Sequence, residues 1–242
     1  MKHIVKNNEP RILAKLKAEI PNAVYADLGS YPPDEPNREL KADKIIEKSL
    51  LEEQGYICAY CMKRVNYVSI EHWYPQKSKE DLQKGQSLQL DYNNFLGVCT
   101  GYVYYSTDER SEPHCEEVRG NIILTINPLN INSIAQIKFA INGLIYSDNS
   151  IFNNDLDKTL QLNVDILKTN RKKVWEGVEI ILNSKAKNKS KISVLTEQLE
   201  KWRNKKVDKN DGIAKFREYC QVVIYFLERE LQREQRKNRL HT

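Results

Sequence analysis

Cys58-Ala59-Tyr60-Cys61, then Ile70-Glu71-His72-Trp73-Tyr74-Pro75-Gln76, then Asn94-Phe95-Leu96-Gly97-Val98-Cys99, then His114-Cys115-Glu116: these four runs decide how this 242-residue chain is read. Two thiolates at C-x-x-C spacing can curl around one tetrahedral ion. Cys99 and Cys115 bring the soft ligands to four, a set for which zinc is the natural ion. Fifteen residues separate that second pair, including the polar run Ser106–Pro113, so it forms no tight knuckle. His114 is an alternative ligand, and a redox couple at Cys58 and Cys61 is a competing reading. The fifth cysteine, Cys220, sits among Phe216, Tyr219, Val223 and Ile224 and is expected to be a small buried apolar residue.

Around these runs the composition is that of a globular protein. Apolar residues make up 40% of the chain, which argues against long disorder, and 9 glycines and 8 prolines are too few for low complexity. No apolar stretch approaches the ~18–20 residues needed to cross a bilayer. Met1–Asn8 lacks the apolar core of a secretory signal, and an odd cysteine count argues for thiols kept reduced. A cytoplasmic protein with no membrane association is therefore expected. The net charge of +5 is uneven. Residues 185–242 hold 16 basic and 8 acidic residues, against 22 and 25 before them.

Apolar spacing predicts a first helix over Ile12–Ile20, stopped by Pro21, and a second through Leu40, Ile45, Ile46, Leu50 and Leu51. Gly55 stands where a left-handed terminator belongs. Asp27–Asn37 reads as an extended connector, and Tyr56–Ile70 as two short strands around the first knuckle. Asn142-Gly143 between Ile134–Ile141 and Leu144–Tyr146 signals a hairpin. Helices are expected at Leu156–Leu162, Ile166–Leu182, Ile192–Asn204 and Ile213–Arg239, with Lys185–Lys191 as a basic break. The outline is α+β, a small metal-stapled centre between helical flanks. Its segments are 1–55 (N-terminal helical), 56–130 (core), 131–184 (hairpin and helical extension) and 185–242 (basic, helical).

In their order, the four runs resemble the HNH endonucleases, the ββα-metal nuclease fold. That pattern has a cysteine pair, an acid–histidine dipeptide at a strand end, and an asparagine shortly before a third cysteine. A fourth cysteine follows, with a metal-binding residue and a basic residue after it. Cys58, Cys61, Cys99 and Cys115 match the structural zinc positions, Glu71 and His72 the dipeptide, and Asn94 the asparagine. Glu116 matches the second ligand of the catalytic ion, with Arg119 on the basic position. The chain departs from many relatives in having Glu for Asp at 71 and Glu for His or Asn at 116, and Asn121 is a possible substitute ligand. Two carboxylates favour Mg²⁺ or Mn²⁺. More narrowly, the runs at 70–76, 90–99 and 114–115, with a weaker cue from Leu162-Asn163-Val164 to Asn170-Arg171, resemble the HNH subunit of Septu-type and retron-associated antiphage systems. That resemblance implies as partners an ABC-type or SMC-like ATPase and, in some systems, a reverse transcriptase with its RNA–DNA product.

The resemblance implies phosphodiester hydrolysis, with His72 as general base. Glu71 and Glu116 would hold one divalent ion, Asn94 would fasten the loop carrying His72, and Arg119 would grip a neighbouring phosphate. DNA is the favoured substrate. The alternatives are a ribonuclease acting on host tRNA and a catalytically inactive zinc adaptor on the ATPase. Each residue also has a plainer reading. Glu116 and Glu117 suit the start of any helix, and Asn94 suits a turn. Tyr102, Tyr104 and Tyr105 either pack their loop or stack on unpaired bases. The Lys185–Lys191 run is a solvated segment or attracts nucleic acid. Trp175 and Trp202 are expected in the core or at a partner contact.

Overall fold

The computed structural model describes residues 1–103, 110–186 and 189–240. It is about half helical, with three small two-stranded antiparallel sheets. Helix α1 spans Arg11–Glu19 and α2 Ala42–Gln54. Strand β1 (Ser69–His72), α3 (Leu82–Ser87), β2 (Phe95–Val98) and α4 (Glu116–Arg119) form the centre. Then come α5 (Ile131–Ala135), β3 (Lys138–Phe139), β4 (Ile145–Tyr146), α6 (Ser150–Asn154) and a π-helical turn at Asp155–Thr159. The chain continues through α7 (Asp165–Lys185), α8 (Lys191–Arg203), β5 (Lys206–Val207), β6 (Ala214–Lys215) and α9 (Cys220–Leu240). No described helix is long and apolar enough to cross a membrane. One apolar cluster runs from Met1 to Leu227, so the four segments anticipated from sequence share a single core.

Helix α2 aims the chain at the cysteines. Ile46, Leu50 and Leu51 turn its apolar stripe inward, and it ends at Gly55 with φ +63°. That left-handed residue has to be glycine on two counts: a Cβ there would be strained, and it would lie 2.4 Å from the Phe216 ring. Buried Gln54 then acts as a strand surrogate for β2. Its carboxamide donates to the Gly97 carbonyl at 2.7 Å and accepts from the Gly97 N–H at 2.7 Å. β1 pairs with β2 in the register Ser69↔Val98, Ile70↔Gly97, Glu71↔Leu96, His72↔Phe95. The acid–histidine dipeptide therefore sits at the last two paired positions, where the strand gives way to loop.

Several expectations need correction. Tyr56–Ile70 does not form two strands. A single bridge, Ile57 to Arg64, closes the knuckle, where the Cys58 amide bonds the Lys63 carbonyl at 2.9 Å and the Met62 amide the Cys58 carbonyl at 3.0 Å. Asp27–Asn37 is not wholly extended, because a 3₁₀ turn covers Tyr25–Gly29. The Asn142-Gly143 hairpin forms with only two residue pairs, and Ile134 belongs to α5. Its turn is gripped from outside: buried Arg171 donates to the Gly143 carbonyl at 2.6 Å and the Leu162 carbonyl at 2.8 Å. Asn163 meanwhile occupies both the N–H and C=O of Ile145 at 2.9 Å each.

At the C-terminal end, Ile213–Tyr219 is not helical. The turn Asp208–Gly212 closes the β5–β6 hairpin, and the chain is then drawn onto the cysteine knuckle. The Phe216 amide bonds the Gly55 carbonyl at 3.0 Å and the Tyr219 amide the Met62 carbonyl at 3.1 Å. Tyr219 has φ +53°, and helix α9 begins only at Cys220, which is fully buried. Lys185 and Lys189 of the basic break both reach Glu197, at 2.6 and 3.4 Å, so much of that positive charge is compensated within the fold. Trp175 is buried in the core, and Arg217 stacks over Trp202 at 5.4 Å.

Candidate metal centre and active-site cleft

Cys58, Cys61, Cys99 and Cys115 converge. All are buried, and their four sulfurs lie within 4.8 Å of one another. Zn–S bonds of about 2.3 Å at tetrahedral angles put sulfurs about 3.8 Å apart. Cys61 and Cys99 stand at 3.8 Å and Cys58 and Cys115 at 4.0 Å. These separations are far too long for disulfides, which have S–S near 2.05 Å. The Cys99 amide points at the Cys58 sulfur at 3.4 Å, as a donor supporting a thiolate does. Burial and the adjoining sulfurs push the Cys115 thiol well above its ordinary range, so the group needs a cation to exist as four thiolates. The donor set therefore fits a metal ion such as zinc, closed by sulfur on all four sides and structural in kind. His114 stays outside that set. Its Nδ1 meets the Glu112 carbonyl at 3.2 Å, and its ring lies beside the Cys99 sulfur.

From this anchor a buried chain of contacts leads to Glu71. Tyr60, inside the C-x-x-C, is fully buried with its hydroxyl 3.4 Å from Glu71 Oε1. Arg119, only 1% exposed, donates to the Tyr60 hydroxyl at 3.0 Å and pairs with the same Glu71 oxygen. The same nitrogen, Nη1, also reaches the His72 carbonyl at 2.8 Å, while Nη2 and Nε donate to the carbonyls of Trp73 and of Ile122 (3.2 Å). The expectation that Arg119 grips a substrate phosphate is thus corrected: the guanidinium is enclosed and engaged by the protein. It holds the acid–histidine segment from beneath instead.

Asn94 bonds to the loop that follows His72. Its side chain accepts from the Tyr74 amide at 2.7 Å and donates to the Tyr74 carbonyl at 3.0 Å, while its backbone carbonyl takes the Trp73 amide at 2.8 Å. The loop after His72 is pinned at three points.

His72 Nε2 lies 3.0 Å from the Gln89 carbonyl, a contact that suits a protonated Nε2. The Gln76 carboxamide nitrogen lies closer to that same Nε2, at 2.9 Å, than to Nδ1, at 3.4 Å, so the two neighbours of Nε2 favour opposite tautomers. The ring is wedged edge-on between Tyr25 and Phe95, with centroids 4.8 and 5.0 Å away. Burial, with a smaller push from the Arg119 charge, lowers its pKa below 6.5. A neutral imidazole at pH 7 follows.

A cleft of about 330 Å³ opens over this ring, lined by Tyr25, Glu71, His72, Gln76, Lys77 and Asn121. Glu71 Oε1 is tied down, and no described residue hydrogen-bonds its Oε2. Glu116 sits at the first position of α4 beside Ser69, close enough to Glu71 for the two charges to repel. Burial, chiefly, raises the pKa of each carboxyl, and for Glu116 the neighbouring Glu71 adds to the shift. Partly desolvated carboxylates are donors that suit a hard divalent cation, although Glu116 itself does not line the cleft. Glu117 is exposed, and its charge adds to the upward shift of Glu116. Tyr102 packs at 9% exposure with Arg110 over its ring, whereas Tyr104 and Tyr105 lie outside the described residues. Sequence reasoning missed Tyr25, Tyr60, Gln76, Lys77 and Gln89. Only Tyr60 had a usable signal, its place between two ligand cysteines. No protein-family model matches the chain, and no curated protein matches it.

Proposed function

We propose that the protein is a metal-dependent nuclease of the HNH, ββα-metal kind, hydrolysing phosphodiester bonds of nucleic acid, with DNA the favoured substrate. One observation carries the reading: a buried histidine held between the Gln89 carbonyl and the Gln76 carboxamide shares its cleft with a carboxylate anchored through one oxygen only, and a second carboxylate lies within electrostatic reach of the first. Antiparallel β1 and β2 followed by the short α4 supply the matching order of elements.

In this reading the unprotonated ring nitrogen of His72 takes the proton of a water aimed at phosphorus, a task suited to a neutral imidazole. A divalent ion held by Glu71 and Glu116 would supply Lewis-acid stabilisation of the charge that develops on phosphate and leaving oxygen. Arg119 and Tyr60 keep Glu71 from rotating away, and Asn94 keeps the His72 loop in register with β2. The sulfur-ligated site holds the scaffold and takes no part in the chemistry. The sequence resemblance extends the proposal to an antiphage effector subunit controlled by an ATPase.

The test is to incubate the purified chain, alone and with any ATPase found encoded beside it, with Mg²⁺ or Mn²⁺ and plasmid DNA, single-stranded DNA or total tRNA. Cleavage is expected in the wild type and absent in His72→Ala, with zinc content and circular dichroism unchanged. Full cleavage by the variant would defeat the proposal. Cleavage of tRNA alone would redirect it to RNA.

A further inference from the structure

The C-terminal helix divides its charge by face. On the side of α9 that packs against α8, Glu228 pairs with Arg203 at 2.7 Å, and Glu230 and Glu234 both reach Lys191, at 3.4 and 3.0 Å. Glu234 also holds Lys237 at 2.9 Å. The two acids at 230 and 234 thus match the two lysines at 191 and 237. Arg229, Arg233 and Arg236 remain. They stand at i, i+4 and i+7, hence on one stripe, and all three are exposed. Arg229 is steadied by the neutral Tyr225 hydroxyl at 2.7 Å, Arg233 approaches Glu230 only to 3.8 Å, and Arg236 has no ion-pair partner among the described residues. A groove of about 590 Å³ follows the same face from Arg229 to Leu240.

We propose that this arginine stripe binds the phosphate backbone of a nucleic acid strand. At 1.5 Å per residue the three arginines span about 10 Å. Three nucleotides rising about 3.4 Å each cover the same length. Guanidinium groups suit phosphate bidentately. The groove's lining sets Arg229, Arg233, Arg236 and Lys237 against one acid, Glu230, a balance that favours an anionic ligand. The assignment does not depend on cleavage at the His72 cleft, because it concerns binding alone.

The experiment uses the full chain and a labelled single-stranded 20-nucleotide DNA, with anisotropy read from 50 to 200 mM salt and no added divalent ion. Wild type is compared with Arg229→Gln/Arg233→Gln/Arg236→Gln and with a charge-matched control, Lys48→Gln/Lys173→Gln/Lys209→Gln. Glutamine keeps helix propensity near that of arginine, so the helix persists. The stripe variant is expected to bind about tenfold or more weakly, and its log–log salt slope to flatten by about 2, the release of three counterion equivalents from a single strand. An unchanged slope, or an equal loss in the lysine control, overturns the assignment. So does a stripe variant that keeps DNA binding while losing an acidic protein partner.

Discussion

Replacing Arg119 with alanine separates two roles that the residue's position alone does not distinguish. Were the guanidinium a phosphate clamp at the cleft, truncation would weaken substrate binding and leave the fold intact. Its surroundings require the opposite. The side chain is 1% exposed, its ion-pair partner Glu71 is 15% exposed, and it donates to three backbone carbonyls and the Tyr60 hydroxyl. Removing one member of a buried ion pair costs about 3–5 kcal/mol, because the other charge is left without compensation. For a chain of this size each kcal/mol lowers Tm by about 2–4 °C, so Arg119→Ala should melt about 6–20 °C below wild type. Differential scanning calorimetry of the zinc-loaded protein measures it. A variant with wild-type Tm and selectively weakened nucleic-acid binding would refute the structural assignment of Arg119.

Three further outcomes are expected. Cleavage should be flat from pH 7 upward and fall only below pH 6.5, because burial holds His72 below that value and the base acts when neutral. The same group stabilises the fold above pH 6.5, and that contribution is lost as pH falls from 6.5 through the lower folded pKa. A pH–rate profile with its acid limb above 6.5 would contradict this. Asn94→Ala orphans the buried N–H and C=O of Tyr74, each costing about 1–3 kcal/mol, and should lower the urea midpoint clearly; an unchanged midpoint would speak against the pinning role. Elemental analysis should find one zinc per chain, and refolding in the presence of chelator should fail. Structural zinc is worth about 10–16 kcal/mol in small zinc-dependent folds, more than most whole domains possess. A chelated protein with native circular dichroism would argue against a metal-held core.

What could be read from sequence was local. Helix α2 and its Gly55 terminator are visible because apolar spacing and a glycine stop are both encoded within a few turns. The four cysteines are legible because a metal's demand for ligands leaves a residue-type signature. Arg119 was misjudged for the converse reason: its partners at 60, 71, 72 and 73 are distant in sequence, and a basic residue near an active site looks the same whether it faces substrate or core. Ile213, Phe216 and Cys220 imitate a helical stripe, yet the turn at Asp208–Gly212 and two backbone bonds to the knuckle outweigh that periodicity. Leu156–Leu162 fails similarly, because a π-helical turn ends at Thr159 and Gln161 takes φ +47°. The setting of the His72 ring depends on the carbonyl of Gln89, 17 residues away, which no motif specifies.

The central claim is that Glu71 and Glu116 share one hard cation beside His72. Anomalous diffraction from a crystal soaked in Mn²⁺ tests it most directly. The account predicts two peaks, zinc amid the four cysteine sulfurs and manganese at the Glu71 and Glu116 carboxylates. Manganese bound elsewhere, with that pair empty while the cleft stays open to solvent, would contradict it.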